Sequence, residues 1–515
     1  MYSSVLSGGL CAIESFIANV EVDVSRALPG FDMVGKLSNE VKEAKERVRV
    51  ALKNSGIDIP PVHITVNISP ADIKKTGTAY DLPIAMGILN SLGIIPDDRL
   101  KDVLVIGELG LMGDVCSVEG VLPIVLAAKK EGIKNCVVPA DNAGEAAYVE
   151  GMKIIPVRNL IEVTETLNAC SDADAHIYTD DHRETLQADG EKTCDFADVI
   201  GQDACIRAAL IAAAGFHHML IIGPPGSGKT MIAERMHTIM PPLTADESLE
   251  VSMLYSIAGL LNKDRPYMYD RPYFSPHHTT TINALAGGGA GSKPGVLALS
   301  NKGILFLDEL PEFDRRCIEV LREPLEHKKI QISRVMHTCD YPADFMLVAA
   351  ANPCPCGFYP DRNLCNCSDH MIDRYRSRIS GPIRDRIDIT VRSSRIDAEK
   401  IVKGATAGGR KAAHKRPVFD SATLKAQVME AVKIQKERFK GTDLVHNSDI
   451  SSADIDKYCP LGKDESDYMK DIYDDMKLTA RSYHKLLKVA RTIADIDGED
   501  NIGMKHLNEA LCYRG

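Results

Sequence analysis

The octapeptide GPPGSGKT at residues 223–230 constrains this chain of 515 residues more than any other segment. It fits G-x-x-x-x-G-K-[ST] at every fixed position, follows the apolar run MLIIG and opens a helical pattern. One local structure suits that order: a strand, a tight glycine-rich turn and a helix. Gly226 and Gly228 let the backbone curl so that its N–H groups point inward, and the helix offers its positive end to an anion. Lys229 is spaced to reach the β- and γ-phosphates of a nucleotide, and the Thr230 hydroxyl to bind Mg²⁺. The loop Gly223, Pro224, Pro225, Gly226, Ser227, Gly228, Lys229 and Thr230 is therefore the expected ATP site. A glycine turn with a chance lysine is the competing reading, and a second motif weighs against it.

That motif is GILFLDEL at 303–310. Its apolar run predicts a buried strand with Asp308 at the carboxyl end, where open α/β sheets bind ligands. Asp308 is the candidate Mg²⁺ holder, and Glu309 the candidate base for an attacking water. A third apolar run, DFMLVAAANP, ends in Asn352, a polar group suited to positioning that water. Arg384, Arg386 and Arg481 follow in SGPIRDRIDI and ARSYHKLLKVAR. Arginines stabilise charge that develops during phosphoryl transfer, although an isolated arginine is ordinarily a solvated surface group.

The remaining chain divides around this core. Its length predicts three to four domains at roughly 100–200 residues each. Residues 1–168 alternate strand and helix patterns, 199–392 read as a parallel α/β unit with crossover helices, and 393–515 are mostly helical. The composition, 44% hydrophobic and 26% charged, excludes disorder as the main state. The net charge of −11 argues against a protein that coats nucleic acid by bulk charge. That charge is uneven, however. Residues 171–198 hold nine acids and two bases, a net −7, and read within 169–198 as a solvated acidic linker. Residues 403–440 hold ten bases and three acids, a net +7. The first 20 residues lack a basic leader, and the longest apolar run, AALIAAAGF, is too short to span a bilayer, so the expected location is the cytoplasm with no membrane partner.

Ten of the 14 cysteines are scattered singly, as buried thiols of cytosolic enzymes are. The other four, Cys354, Cys356, Cys365 and Cys367, form C-x-C-x8-C-x-C. Four thiolates within 14 residues can surround one Zn²⁺ tetrahedrally, which would be a structural site with no open position. The C-x-C spacing is tighter than usual, His370 is a substitute ligand, and free thiols are the alternative.

The order GPPGSGKT, ILFLDE, NPCPCG, RYRSRISGPIRDRIDI and LTARSYHKLLKVARTIADI resembles AAA+ ATPases of the magnesium-chelatase-like group. RPYFSPHHTTT, ISRVMHTCDYPADFMLVAAANPCPCG and HLNEALCYRG resemble its ComM/YifB branch over essentially the whole chain. The resemblance implies an α/β fold in three parts: a Lon-protease-like (ribosomal S5 domain 2-like) N-terminal domain, a P-loop AAA+ core with a parallel sheet, and a C-terminal helical lid. It implies Asn352 as sensor 1, Arg386 as an arginine finger given to the neighbouring subunit, Arg481 as sensor 2, and a hexameric ring. It also implies channel elements at 244–300 and 328–342, the second carrying Lys328, Lys329, Arg334 and His337. A basic hairpin in a channel would track a phosphate backbone without reading sequence, whereas ordinary surface charge is the plainer reading.

Within the Lon-like part, the nucleophile position falls on Ala79 and the base position on Leu122. Neither side chain can carry Ser–Lys chemistry, so the resemblance does not extend to proteolysis. The implied function is an ATP-driven motor on branched or single-stranded DNA, of the helicase or branch-migration type associated with recombination and natural transformation. A motor subunit of a metal chelatase acting on a partner protein is the alternative.

Overall fold

The computed structural model describes residues 1–169, 194–289, 293–333, 338–395 and 419–514. The acidic stretch lies almost wholly outside the described residues, as do Arg334 and His337.

Residues 1–169 build a seven-stranded mixed sheet from β1 (Tyr2–Cys11), β2 (Glu14–Ser25), β3 (Gly30–Val34), β4 (His63–Ser69), β5 (Val103–Val105), β6 (Asn135–Pro139) and β7 (Lys153–Val157). The order is β3-β4-β2-β1-β5-β6-β7. The alternation in IANVEVDVSR does form β2, with Ala18, Val20, Val22 and Val24 buried. Its partner β1 escapes pattern reading because Gly8 and Gly9 interrupt it. Packing explains both glycines: a Cβ would lie 2.1 Å from Ile124 Cγ2 at Gly8 and 2.1 Å from the Tyr80 hydroxyl at Gly9. Within VLVIGELGLMGDV, Val103–Val105 joins the large sheet, and Glu108–Leu109 and Val115–Cys116 pair as a hairpin.

Helix α1 (Asn39–Asn54) is capped by Ser38, whose hydroxyl accepts from the Val41 N–H at 3.4 Å, and it buries Val41, Ala44, Val48, Ala51 and Leu52. Helix α2 (Asp81–Ser91) is buried at every position, as an all-round apolar helix must be. Its buried Asp81 receives Arg47 Nε at 2.6 Å and Nη2 at 2.9 Å. Helix α3 is Val121–Lys130.

The core holds a five-stranded, all-parallel sheet. Its strands are β8 (Met219–Ile222), β9 (Tyr273–Phe274), β10 (Ile304–Leu307), β11 and β12 being a separate hairpin (Lys329–Ser333 and Thr338–Pro342), β13 (Met346–Ala351) and β14 (Ile389–Arg392). The sheet order is β9-β10-β13-β8-β14. β10 and β13 are buried at every residue, the signature of strands covered on both faces. Helix α4 (Asp203–Gly215) precedes β8, α5 (Lys229–Ile239) follows it, and α6 (Ala245–Ile257) comes next. Helix α7 (Asp369–Arg376) follows the cysteine loop.

The C-terminal part contains α8 (Ser421–Arg438), α9 (Ala480–Ile496) and α10 (Met504–Cys512). It is welded to the core rather than tethered: Ala209, Ile232 and Val348 share one apolar cluster with Leu424, Val428, Leu487 and Ala490. His446 stacks on Phe216 at 4.7 Å across this seam, and burial holds its imidazole down at about 4. The unfolded chain then takes up a proton that the native seam refuses. Stability contributed by neutral His446 is expected to fall as pH drops from about 6.5 toward 4, and a flat thermal midpoint across that window for wild type would contradict it. No described helix is long and apolar enough to cross a membrane.

Candidate nucleotide site and cysteine loop

The glycine-rich loop leaves the carboxyl end of β8, the strand between β13 and β14. Gly226 and Gly228 adopt φ of +72° and +84°, which a side chain would resist, and α5 begins at Lys229. Lys229 is 8% exposed, and its ammonium donates to Gly223 O at 2.8 Å, Pro224 O at 3.0 Å and Asn352 Oδ1 at 3.2 Å. Burial lowers its pKa, while Asp308 and Glu309 act against that shift. Thr230 Oγ1 donates to Asp308 Oδ2 at 2.9 Å. Glu309 is exposed, with φ of +51°, a strained conformation for a non-glycine residue. The Asp308 carboxylate accepts its N–H at 2.9 Å. Thus Lys229, Thr230, Asp308, Glu309 and Asn352 converge at the ends of three adjacent strands.

Sequence reading missed the groups that hold this loop from behind. Gln202 Nε2 donates to Ser227 O at 3.0 Å and Ser394 O at 2.7 Å, and the Ser227 and Ser393 hydroxyls lie 2.7 Å apart. A Cβ on Gly223 would fall 1.9 Å from Ser393 Oγ. Nothing local marks Gln202, because its partner Ser394 is 192 positions away.

The arginines sit elsewhere. Arg386 is buried, donates to Pro382 O at 2.7 Å, and pairs with Glu326. Arg481 is exposed in the first turn of α9, and its charge also acts on Glu326. Among the described residues, the side-chain hydrogen bonds of Arg386 fall outside 223–230, and the Arg481 side chain makes no hydrogen bond or ion pair.

At the start of the hairpin, the Lys328 ammonium pairs with Asp449 at 2.5 Å and Asp344 at 3.3 Å, tying the core to the C-terminal part. Lys329 pairs with Asp340 on the facing strand at 2.7 Å. Both charges are already matched, for reasons of tertiary placement that spacing does not reveal.

The four loop cysteines converge, with all four sulfurs within 4.8 Å of one another. Cys354, Cys365 and Cys367 are buried and Cys356 half-buried. The Phe358 N–H lowers the Cys356 pKa, and the Tyr359 N–H donates to Cys354 Sγ at 3.4 Å. This donor set suits a soft tetrahedral ion. A cavity of about 880 Å³ opens between the cysteine loop, α9 and the start of the glycine-rich loop, lined among others by Gly223, Pro224, Asn352, Tyr359 and Leu486.

In the N-terminal part, Leu122 is fully buried and its N–H donates to Glu145 Oε1 at 2.9 Å. Glu145 also accepts from Asn142 Nδ2 at 3.0 Å and from the Ser256 hydroxyl of α6, and burial raises its pKa. The Gly120 N–H donates to Ser256 O at 3.0 Å. The face that carries Leu122 is therefore an inter-domain dock.

Comparison with known proteins agrees along the chain. The profile of magnesium chelatase, subunit ChlI, matches residues 195–401, that of subunit ChlI of Mg-chelatase residues 20–142, and that of the ChlI C-terminal region residues 419–514. The competence protein ComM of Haemophilus influenzae is 36% identical over 513 residues, covering 99% of this chain and 97% of its own. The YifB protein of Escherichia coli is 38% identical over 499 residues, covering 96% and 93%. An archaeal Lon protease of Methanothermobacter thermautotrophicus is 32% identical over 136 residues, 25% of this chain and 21% of its own.

Proposed function

The chain belongs to the ComM/YifB family of magnesium-chelatase-like proteins, and on that premise we propose that it is an ATP-driven ring motor that acts on DNA. The convergence of Lys229, Thr230, Asp308 and Asn352 at one sheet edge carries the ATPase reading. Lys229 draws the β- and γ-phosphates to the loop, and Asn352 and Glu309 orient and deprotonate the attacking water. Thr230 and Asp308 would hold Mg²⁺, which neutralises charge on the phosphate oxygens. A structural Zn²⁺ in the cysteine loop completes the set of cofactors.

Arg386 pairs with Glu326 rather than with its own glycine-rich loop. That supports its service to a neighbouring subunit's nucleotide, with Arg481 as sensor 2, and hence a closed ring, of which a hexamer is the form we infer. The DNA part rests on the relative named as a competence protein. Backbone tracking is the role we infer for the segment 328–342, whose basic residues are Lys328, Lys329, Arg334 and His337. Ala79 and Leu122 leave no proteolytic chemistry in the N-terminal domain, for which assembly or DNA contact is the role we infer.

The test is ATP turnover with single-stranded, duplex, forked and four-way DNA at rising salt. Stimulation greatest on forked or four-way DNA, with binding that weakens steeply as salt rises, is expected. Turnover indifferent to every DNA would favour the chelatase-type motor, with a protein partner.

A further inference from the structure

The segment between β13 and α7, residues 352–368, contains no helix or strand. A stretch of that length needs something other than backbone pairing to hold its shape. Its sulfurs supply the clue. Cys354 and Cys356 Sγ lie 3.3 Å apart, Cys356 and Cys365 3.5 Å, and Cys354 and Cys365 3.7 Å. Disulfides would bring pairs to about 2.05 Å. Ligands at about 2.3 Å from one tetrahedral ion stand about 3.8 Å apart. The spacing thus approaches the edges of a single-ion site.

The same loop abuts the nucleotide site at two points. Cys354 is two residues beyond Asn352, which accepts from Lys229. Gly357, buried with φ of +85°, packs on the phosphate loop so closely that a Cβ would lie 2.4 Å from Pro225 Cδ. The outer side is clamped as well: Tyr359 lies between the guanidiniums of Arg362 and Arg376, at 5.1 and 5.0 Å, and Arg376 reaches back to Pro353 O at 3.4 Å.

We propose that one Zn²⁺ held by Cys354, Cys356, Cys365 and Cys367 braces the nucleotide site, so that ATP affinity depends on the metal. The metal fixes Cys354 and thereby Asn352, and it fixes the turn at Gly357 that backs Pro225. It takes no part in phosphoryl transfer, because four thiolates fill its coordination shell. The inference rests on the ATPase reading of the loop at 223–230.

The experiment uses the full chain. Elemental analysis is expected to give one zinc per chain, and a fluorescent ATP analogue with Mg²⁺ reports affinity. Chelating the zinc should weaken analogue binding about tenfold or more, as displacement of site groups does, and added Zn²⁺ should restore it. Cys356→Ser should behave like the chelated protein. Gly357→Ala keeps all four ligands and is the second variant, should Cys356→Ser fail to fold. It should retain zinc, show an unchanged circular dichroism spectrum and still lose affinity. A protein without zinc, or one that holds iron instead, overturns the metal assignment. Zinc present with affinity indifferent to chelation and to Gly357→Ala overturns the bracing. Zinc-loaded wild type that binds no nucleotide overturns the ATPase reading and leaves the metal assignment standing.

Discussion

Glu309→Gln is expected to keep ATP bound and to lower kcat by about 10²–10⁴-fold, the range over which a positioned base acts. The structure separates the two effects. On the proposed reading, the groups that bind the nucleotide are Lys229 and the Thr230–Asp308 pair. Glu309 contacts neither Lys229 nor Thr230 through its side chain, and it is exposed at the strand end, its backbone N–H received by Asp308. The amide of Gln keeps shape and the left-handed backbone but cannot accept the proton. Steady-state phosphate release and analogue titration check the split. Unchanged turnover would show that Glu309 is not the base. Lys229→Ala provides the contrast, since it should lose affinity as well as rate.

The largest expected loss of stability is that of Asp495→Ala. This carboxylate on α9 is fully buried. It receives Arg438 Nη1 at 2.7 Å, Arg491 Nε at 3.0 Å and Asn447 Nδ2 at 2.8 Å. Arg491 is 1% and Arg438 17% exposed, so alanine strands two guanidiniums that water cannot reach freely. Removing one partner from a buried ion pair costs about 3–5 kcal/mol. Asp495→Asn keeps volume and one acceptor and should fall in between. Asp497, paired with Arg207 at 3.3 Å and 29% exposed, is the control, and its alanine variant should cost about 1 kcal/mol or less. Denaturant midpoints at constant slope measure all three. A loss for Asp495→Ala no greater than the control's would show that the arginines find other partners.

Residues near one another in the chain were readable, and those joined by folding were not. The strands MLII, ILFL and MLVAAA announce themselves as buried apolar runs, and GPPGSGKT, Asp308 and Asn352 follow from where those runs stop. β1 was hidden because its glycines answer to Ile124 and Tyr80, far along the chain. The pairing of Lys328 with Asp344 and Asp449 was hidden for the same reason.

By itself the sequence determined the strand, glycine turn and helix around GPPGSGKT, the parallel core beside them and the clustering of four thiols, because short-range spacing dictates turn geometry and ligand count. Only the tertiary structure decided that Gln202 and Ser393 back the loop, that Glu326 pairs with Arg386, that Glu145 docks the N-terminal sheet onto α6, and that the cysteine turn rests on Pro225. Each of those contacts joins groups whose separation along the chain carries no periodic signal. Burial alone brings them within hydrogen-bonding or packing distance.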